Sequence, residues 1–136
     1  MNYWLMKIEP DVYPWEQFVK EKTTAWTGVR NYAARNHMRA MKKGDRVMIY
    51  YSMTKVMGVV GVAEVIKEAY VDNTAEEPIW SCVDIKPVEK LKRFVPLSEI
   101  KLTPALKQMV LLRISRLSVQ PVTAAEYKTI LKLGSK

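Results

Sequence analysis

At 136 residues the chain is long enough to bury one hydrophobic core and too short for two comfortable ones, so a single domain over residues 1–136 is expected. Its formal net charge is +8, and the charge is uneven: acids gather mid-chain (Glu64, Glu68, Asp72, Glu76, Glu77, Asp84), whereas none occurs from Lys22 to Lys43. A small basic protein suits nucleic acid or another anionic surface, because neutralising phosphates releases counterions. The single cysteine, Cys82, excludes an intramolecular disulfide, and one cysteine with one histidine excludes a closed zinc site. No metal or cofactor is expected. No apolar run approaches the roughly 20 residues of a membrane-spanning helix. The start, Met1-Asn2-Tyr3-Trp4, lacks the charged and apolar regions of a signal peptide, so a soluble, cytoplasmic protein is expected, nuclear if eukaryotic.

Taken in order, Tyr3 to Ile8 reads as a strand that stops at Glu9-Pro10, with Lys7 and Glu9 on one face. Trp15, Phe18 and Val19 recur at helical spacing after Pro14, which predicts a short helix to Glu21. Ala25-Trp26 reads as a short strand before a Thr27-Gly28 turn. Arg30 to Met41 reads as a helix stopped by Lys42-Lys43-Gly44, with Asn31, Arg35 and Arg39 on one stripe and Ala34, Met38 and Met41 on the core stripe.

Strands follow at Asp45–Ser52 and Val56–Ile66, the second interrupted by Gly58 and Gly61, a sign of bulges, tight barrel bends or close approach of another backbone. Tyr70 to Pro78 is a polar, acidic loop, and Trp80 to Val88 returns as a strand. Phe94 to Glu99 predicts a helical turn, Thr103-Pro104 opens a helix to Met109, and Leu111 to Pro121 has strand character. Thr123-Ala124-Ala125-Glu126 is a capping box for a last helix. Strands broken by short helices and bends predict an α+β fold: a mixed β-barrel of five to six strands with peripheral helices.

Candidate functional residues concentrate in the acid-free segment. An aromatic ring with side-chain amides beside a basic cluster suits a flat polar ligand that carries negative charge. Trp26 offers the stack, Asn31 can both donate and accept, and Arg35, Arg39, Lys42 and Lys43 form a candidate phosphate-contacting face. Each also has a structural reading: core for Trp26, a helix cap for Asn31, backbone bonding for Asn36, a solvated lysine for Lys7, and a lid for Trp80. His37 has no serine or cysteine nucleophile in a recognisable motif near it, and neither a phosphate loop nor paired carboxylates accompany the segment. No catalytic residue is therefore expected.

The opening Tyr3-Trp4-Leu5-Met6-Lys7-Ile8-Glu9-Pro10 and the run from Trp26 through Asn36 and Met38 to Asp45 resemble the signatures of EVE-domain proteins. Arg116 to Val122 resembles a further shared block. The resemblance covers nearly the whole chain. It implies a PUA-like barrel related to the YTH readers of methylated adenine, and a module that recognises a modified base, foremost modified cytosine in DNA. By motif position it implies a nucleobase pocket drawn from Lys7, Glu9, Trp26, Arg30, Asn31, Asn36, Ser52 and Trp80. Three positions depart from the pattern: Ile8 stands where Ser is common, Thr27 where Asp is common, and Tyr51 where His is common. An RNA-binding PUA-like module, an enzyme acting on a flipped base and a small-ligand or protein adaptor are the alternatives. A monomer is expected.

Overall fold

The computed structural model describes residues 1–136. Six strands form one mixed sheet: β1 (Tyr3–Ile8), β2 (Thr24–Ala25), β3 (Arg46–Tyr51), β4 (Gly58–Val71), β5 (Ser81–Pro96) and β6 (Val119–Val122), in the spatial order β2-β5-β4-β3-β1-β6. Five α-helices accompany them: α1 (Trp15–Glu21), α2 (Tyr32–Ala40), α3 (Leu97–Leu102), α4 (Val110–Arg113) and α5 (Ala124–Gly134). The α+β class and the strand number match the expectation. The hydrogen-bond ladder runs from β2 to β6 without joining them, so the sheet is open where the sequence predicts a closed barrel.

β1 and β3 run parallel, Tyr3 opposite Arg46 through Ile8 opposite Tyr51. Parallel neighbours require a crossover, and α1, β2 and α2 supply it. β1 also pairs antiparallel with β6, so both its edges and both its faces are covered. Alternation then sorts the core into two layers. Trp4 and Met6 join Val47, Ile49, Ala63, Val65, Val83 and Ile85 beneath Trp15 and Phe18 of α1 and Ala34 and Met38 of α2. Leu5 joins Met48, Val62 and Val95 beneath Ile100, Leu111 and Ile130 of α3, α4 and α5.

Several boundaries differ from the sequence reading. The helix expected from Arg30 starts at Tyr32, because Asn31 is its N-cap and accepts a bond from the Ala34 amide at 2.9 Å. β4 continues through Tyr70 to Val71, and β5 runs past Pro87 to Pro96; register shifts in their ladder, one between Val62 and Ala63, accommodate the proline. The expected strand at Leu111–Pro121 divides into α4 and β6, since a short apolar run suits either structure. Thr103 opens only a 3-10 turn over Pro104–Leu106, and its hydroxyl donates instead to the Glu99 carbonyl. The Thr123–Glu126 capping box of α5 forms as expected.

Buried Asp45 ties the two ends of this scaffold. Its carboxylate accepts from the Trp4 indole at 3.0 Å, the Lys42 amide at 2.9 Å and the Asn2 amide at 3.0 Å, joining β1, the end of α2 and the start of β3. The strand glycines have a steric cause. A Cβ on Gly61 would lie 2.6 Å from the Trp15 ring, and one on Gly58 would lie 2.2 Å from the Val95 carbonyl oxygen. α1 therefore sits on β4 through direct contact of an indole with bare backbone. Gly61→Ala is expected to destabilise the fold by about 1–3 kcal/mol, the usual cost of overpacking, measured as a lowered urea midpoint with an unchanged slope.

Candidate nucleic-acid interface

The segment between β2 and α2 is held by backbone and by one carboxylate. The Trp26 amide donates to the Val83 carbonyl at 2.8 Å, extending the pairing of β2 with β5. This places the indole in the core layer under α1 and α2, 7% exposed, with the Tyr13 ring edge-on at a centroid distance of 6.4 Å. Gly28 then adopts φ +88°, a left-handed turn that glycine tolerates. Its amide donates to Asp72 at 2.9 Å, and Arg30 donates to the same carboxylate oxygen at 2.9 Å and to the Thr74 hydroxyl at 3.1 Å.

Asp72 is fully buried. Its second oxygen accepts from the Thr74 amide and hydroxyl at 2.8 and 2.6 Å. Burial alone would push this carboxyl up; the bonds from Thr74, Gly28 and Arg30 outweigh it and hold the group well below the usual carboxylate range. The acidic loop and the Trp26 turn thus share a single anchor. Asn31, next in the chain, commits the acceptor half of its amide to capping α2.

Two cavities open beside this anchor region. One, of about 390 Å³, is lined by Lys7, Ile8, Tyr13, Thr24, Ala25, Trp26, Thr27, Gly28, Val29, Arg30 and Ser118. The other, of about 690 Å³, is lined by Lys7, Glu9, Tyr50, Ser52, Met53, Met57, Leu97, Lys101, Leu111, Leu112, Ser115, Arg116 and Ser118. Lys7 and Ser118 border both and are joined by a backbone bond of 2.9 Å. The half-buried Lys7 ammonium donates to the Ser115 carbonyl at 2.6 Å and lies 5.7 Å from the Tyr50 ring centroid; burial lowers its pKa. Burial also pushes the Tyr50 phenol up to about 12, so it remains a neutral hydroxyl near pH 7.

Outside the cavities, α2 meets the loop after β4 through aromatic and guanidinium groups. Trp80 packs against Tyr32 at 5.0 Å between ring centroids, with Arg30 and Arg35 each 5.9 Å from the Trp80 ring. Arg35 also donates to the Asn36 side-chain oxygen at 2.9 and 3.1 Å, and Arg39 donates to the Ser81 hydroxyl at 3.0 Å and the Ile79 carbonyl at 2.8 Å. These acceptors are neutral, so they orient the guanidiniums without cancelling their charge. No carboxylate forms an ion pair with Arg35, Arg39, Lys42 or Lys43.

The expected pocket residues therefore fall in three places. Lys7, Trp26 and Arg30 line the smaller cavity, and Lys7, Glu9 and Ser52 line the larger one. Asn31 and Asn36 line neither, and Trp80 lies in the aromatic stack on α2. Sequence reasoning passed over Asp72, Tyr13, Tyr32 and Ser118. Asp72 carried a readable signal, since Asp-Asn-Thr is a side-chain-capped turn of the kind Asp72 makes with the Thr74 amide. Tyr13 and Ser118 carried none, because chain-distant contacts bring them to the cavity.

The EVE domain model matches residues 2–133 of this chain. The chain belongs to the EVE domain family. Human thymocyte nuclear protein 1 is 39% identical over 168 residues, covering 99% of this chain and 75% of the human protein. The solved structure of the human THYN1 protein in complex with 5-methylcytosine containing DNA superimposes with a TM-score of 0.92 at 38% identity, covering 100% of this chain and 99% of that one. A more distant likeness, the YTH domain of the Zygosaccharomyces rouxii MRB1 protein solved with N6-methyladenosine RNA, has a TM-score of 0.62 at 15% identity, over 99% of this chain and 87% of that one, and shares the fold.

Within this EVE domain no helix is long and apolar enough to cross a membrane. Its signature turn depends on a charge that must stay ionised. The Asp72 pKa is lower in the folded chain than its usual 3.8, so the stabilisation it supplies is complete above that value and is lost as pH falls towards the folded value. Asp72→Asn is expected to cost about 3 kcal/mol at pH 7, the scale for breaking a buried charged network. Urea unfolding at pH 7 and at pH 3 should show the wild-type advantage shrinking at the lower pH.

Proposed function

We propose that this EVE domain is a nucleic-acid-binding module that takes a modified base, foremost modified cytosine in DNA, into the cavity bordered by Trp26. The observation that carries the reading is the juxtaposition of two aromatic rings, Trp26 and Tyr13, with two cations, Lys7 and Arg30, in one base-sized recess. The un-neutralised stripe of Arg35, Arg39, Lys42 and Lys43 supports it, as does the similarity to a protein solved with 5-methylcytosine containing DNA.

In this reading the base stacks on the part of Trp26 that borders the cavity, and Tyr13 lines the same recess. Lys7 and Arg30 approach the base edge or its phosphate. Glu9 and Ser52 act from the adjoining chamber across Lys7, Asn31 and Trp80 act from the rim, and Asn36 holds Arg35 in place. The reading is of binding without covalent chemistry: a modified oligonucleotide incubated with the protein should keep its mass. RNA of the same sequence should compete less well than DNA at equal salt; a contact dominated by the 2′-hydroxyl would reverse the order and favour an RNA-binding module.

Titrating labelled oligonucleotides that differ in a single 5-methylcytosine tests the proposal. The methylated strand should bind tighter, and Trp26→Ala should remove that preference and weaken binding by roughly 5- to 100-fold, the range of base–aromatic stacking. Equal binding of modified and unmodified strands, with no effect of Trp26→Ala, would sink it. Replacing Arg39, Lys42 and Lys43 by alanine should weaken binding to all strands alike and flatten the salt dependence, by about 0.7–0.9 in log–log slope for each phosphate no longer neutralised.

A further inference from the structure

Tyr32 is the one large aromatic on α2 left open to solvent, 60% exposed at the first helical position after the Asn31 cap. Its neighbours hold it still. Trp80, itself only 9% exposed, packs against it at 5.0 Å with the planes 33° apart, and the Arg35 guanidinium lies 5.0 Å from its centroid. Arg35 in turn is pinned by Asn36 and by the Ile79 carbonyl at 3.3 Å. The result is a stack whose inner members are covered and whose outer ring is free.

Such an arrangement suits a nucleobase. The ring is 60% exposed, its side-chain entropy is already reduced by Trp80 and Arg35, and a cation with no carboxylate partner stands beside it for the phosphate. The stack is also continuous with the Trp26 cavity. Arg30 lines that cavity, packs over Trp80 and is fixed by Asp72, so cavity and platform are separated by one immobilised side chain.

We propose that Tyr32 is a stacking platform for the unpaired base that neighbours the recognised one, with Arg35 contacting the phosphate that joins them. This rests on the Trp26 reading and adds a second subsite to it. Tyr32 would contribute affinity for any neighbouring base and would not affect discrimination between modified and unmodified cytosine.

A double-mutant cycle tests it, using single-stranded DNA with one 5-methylcytosine and an abasic site placed on its 5′ or 3′ side, read by fluorescence anisotropy. Tyr32→Ala should weaken binding of the intact strand by roughly 5- to 50-fold, while the ratio of methylated to unmethylated affinity is unchanged. One of the two abasic strands should bind the wild type with a similar loss and be insensitive to Tyr32→Ala. Tyr32→Phe should bind like the wild type, since the ring is what stacks. Additive losses from the variant and from both abasic strands would overturn the proposal, as would unchanged affinity of Tyr32→Ala with a lowered melting temperature, the signature of a ring that only covers Trp80. Loss of methyl discrimination in the wild type with the cycle still coupled would overturn the modified-base reading and leave this platform standing.

Discussion

The region around the Trp26 cavity depends on one buried carboxylate. Asp72 takes four hydrogen bonds from three residues in two segments: Gly28 and Arg30 of the signature turn, and Thr74 of its own loop. A charge removed from water is costly unless its lone pairs are filled, and here the neighbouring groups fill them. The consequence is geometric. Arg30 cannot swing freely, Gly28 is held in its left-handed turn, and the connection between β4 and β5 is drawn against the start of α2, where the Asp72 amide also closes on the Trp80 carbonyl at 2.9 Å. The Trp26 cavity and the Tyr32–Trp80 stack exist as neighbours because this carboxylate joins their supports.

A second constraint comes from β1. Pairing with β3 on one edge and β6 on the other puts Lys7 at the end of a strand with no free edge, and the Lys7–Ser118 backbone bond carries the pairing one step further. Lys7 therefore stands as a partition between two cavities rather than as a mobile surface cation. Its lowered pKa and its bond to the Ser115 carbonyl follow from that position. A ligand spanning both chambers must pass this ammonium.

The cations of α2 differ from ordinary solvated charges in how they are held. Arg35 and Arg39 are oriented by an amide oxygen, carbonyls and a hydroxyl, which leaves their charge whole. Arg30 is the opposite case, since its charge is met by Asp72 at 2.9 Å. Arginines of the same signature thus differ: Arg30 is architectural at its inner end, whereas Arg35 and Arg39 keep their positive potential.

Much of the fold was legible in the sequence. β1, α1, α2, β3 and the capped α5 announced themselves by alternation, helical spacing and caps, because those signals are local. The strand glycines announced bulges, bends or an approaching backbone; at Gly58 that backbone is Val95–Pro96, whereas Gly61 makes room for the Trp15 ring. Less was legible where short apolar runs fit either structure, as in α4, or where strands extended through polar residues, as in β5. For the site, residue types pointed to a flat, anionic ligand, yet their grouping was not readable: Asn31 became a cap, and Tyr13, Asp72 and Ser118 arrived from elsewhere. The sequence by itself determined the core stripe of α2, the charge and the signature turn, since periodicity and composition are properties of neighbouring residues. Only the tertiary structure decided that the sheet stays open, that Lys7 divides two cavities and that one carboxylate fastens Arg30 against Trp80. Those facts depend on contacts between segments 42 to 108 residues apart in the chain, which no local pattern encodes.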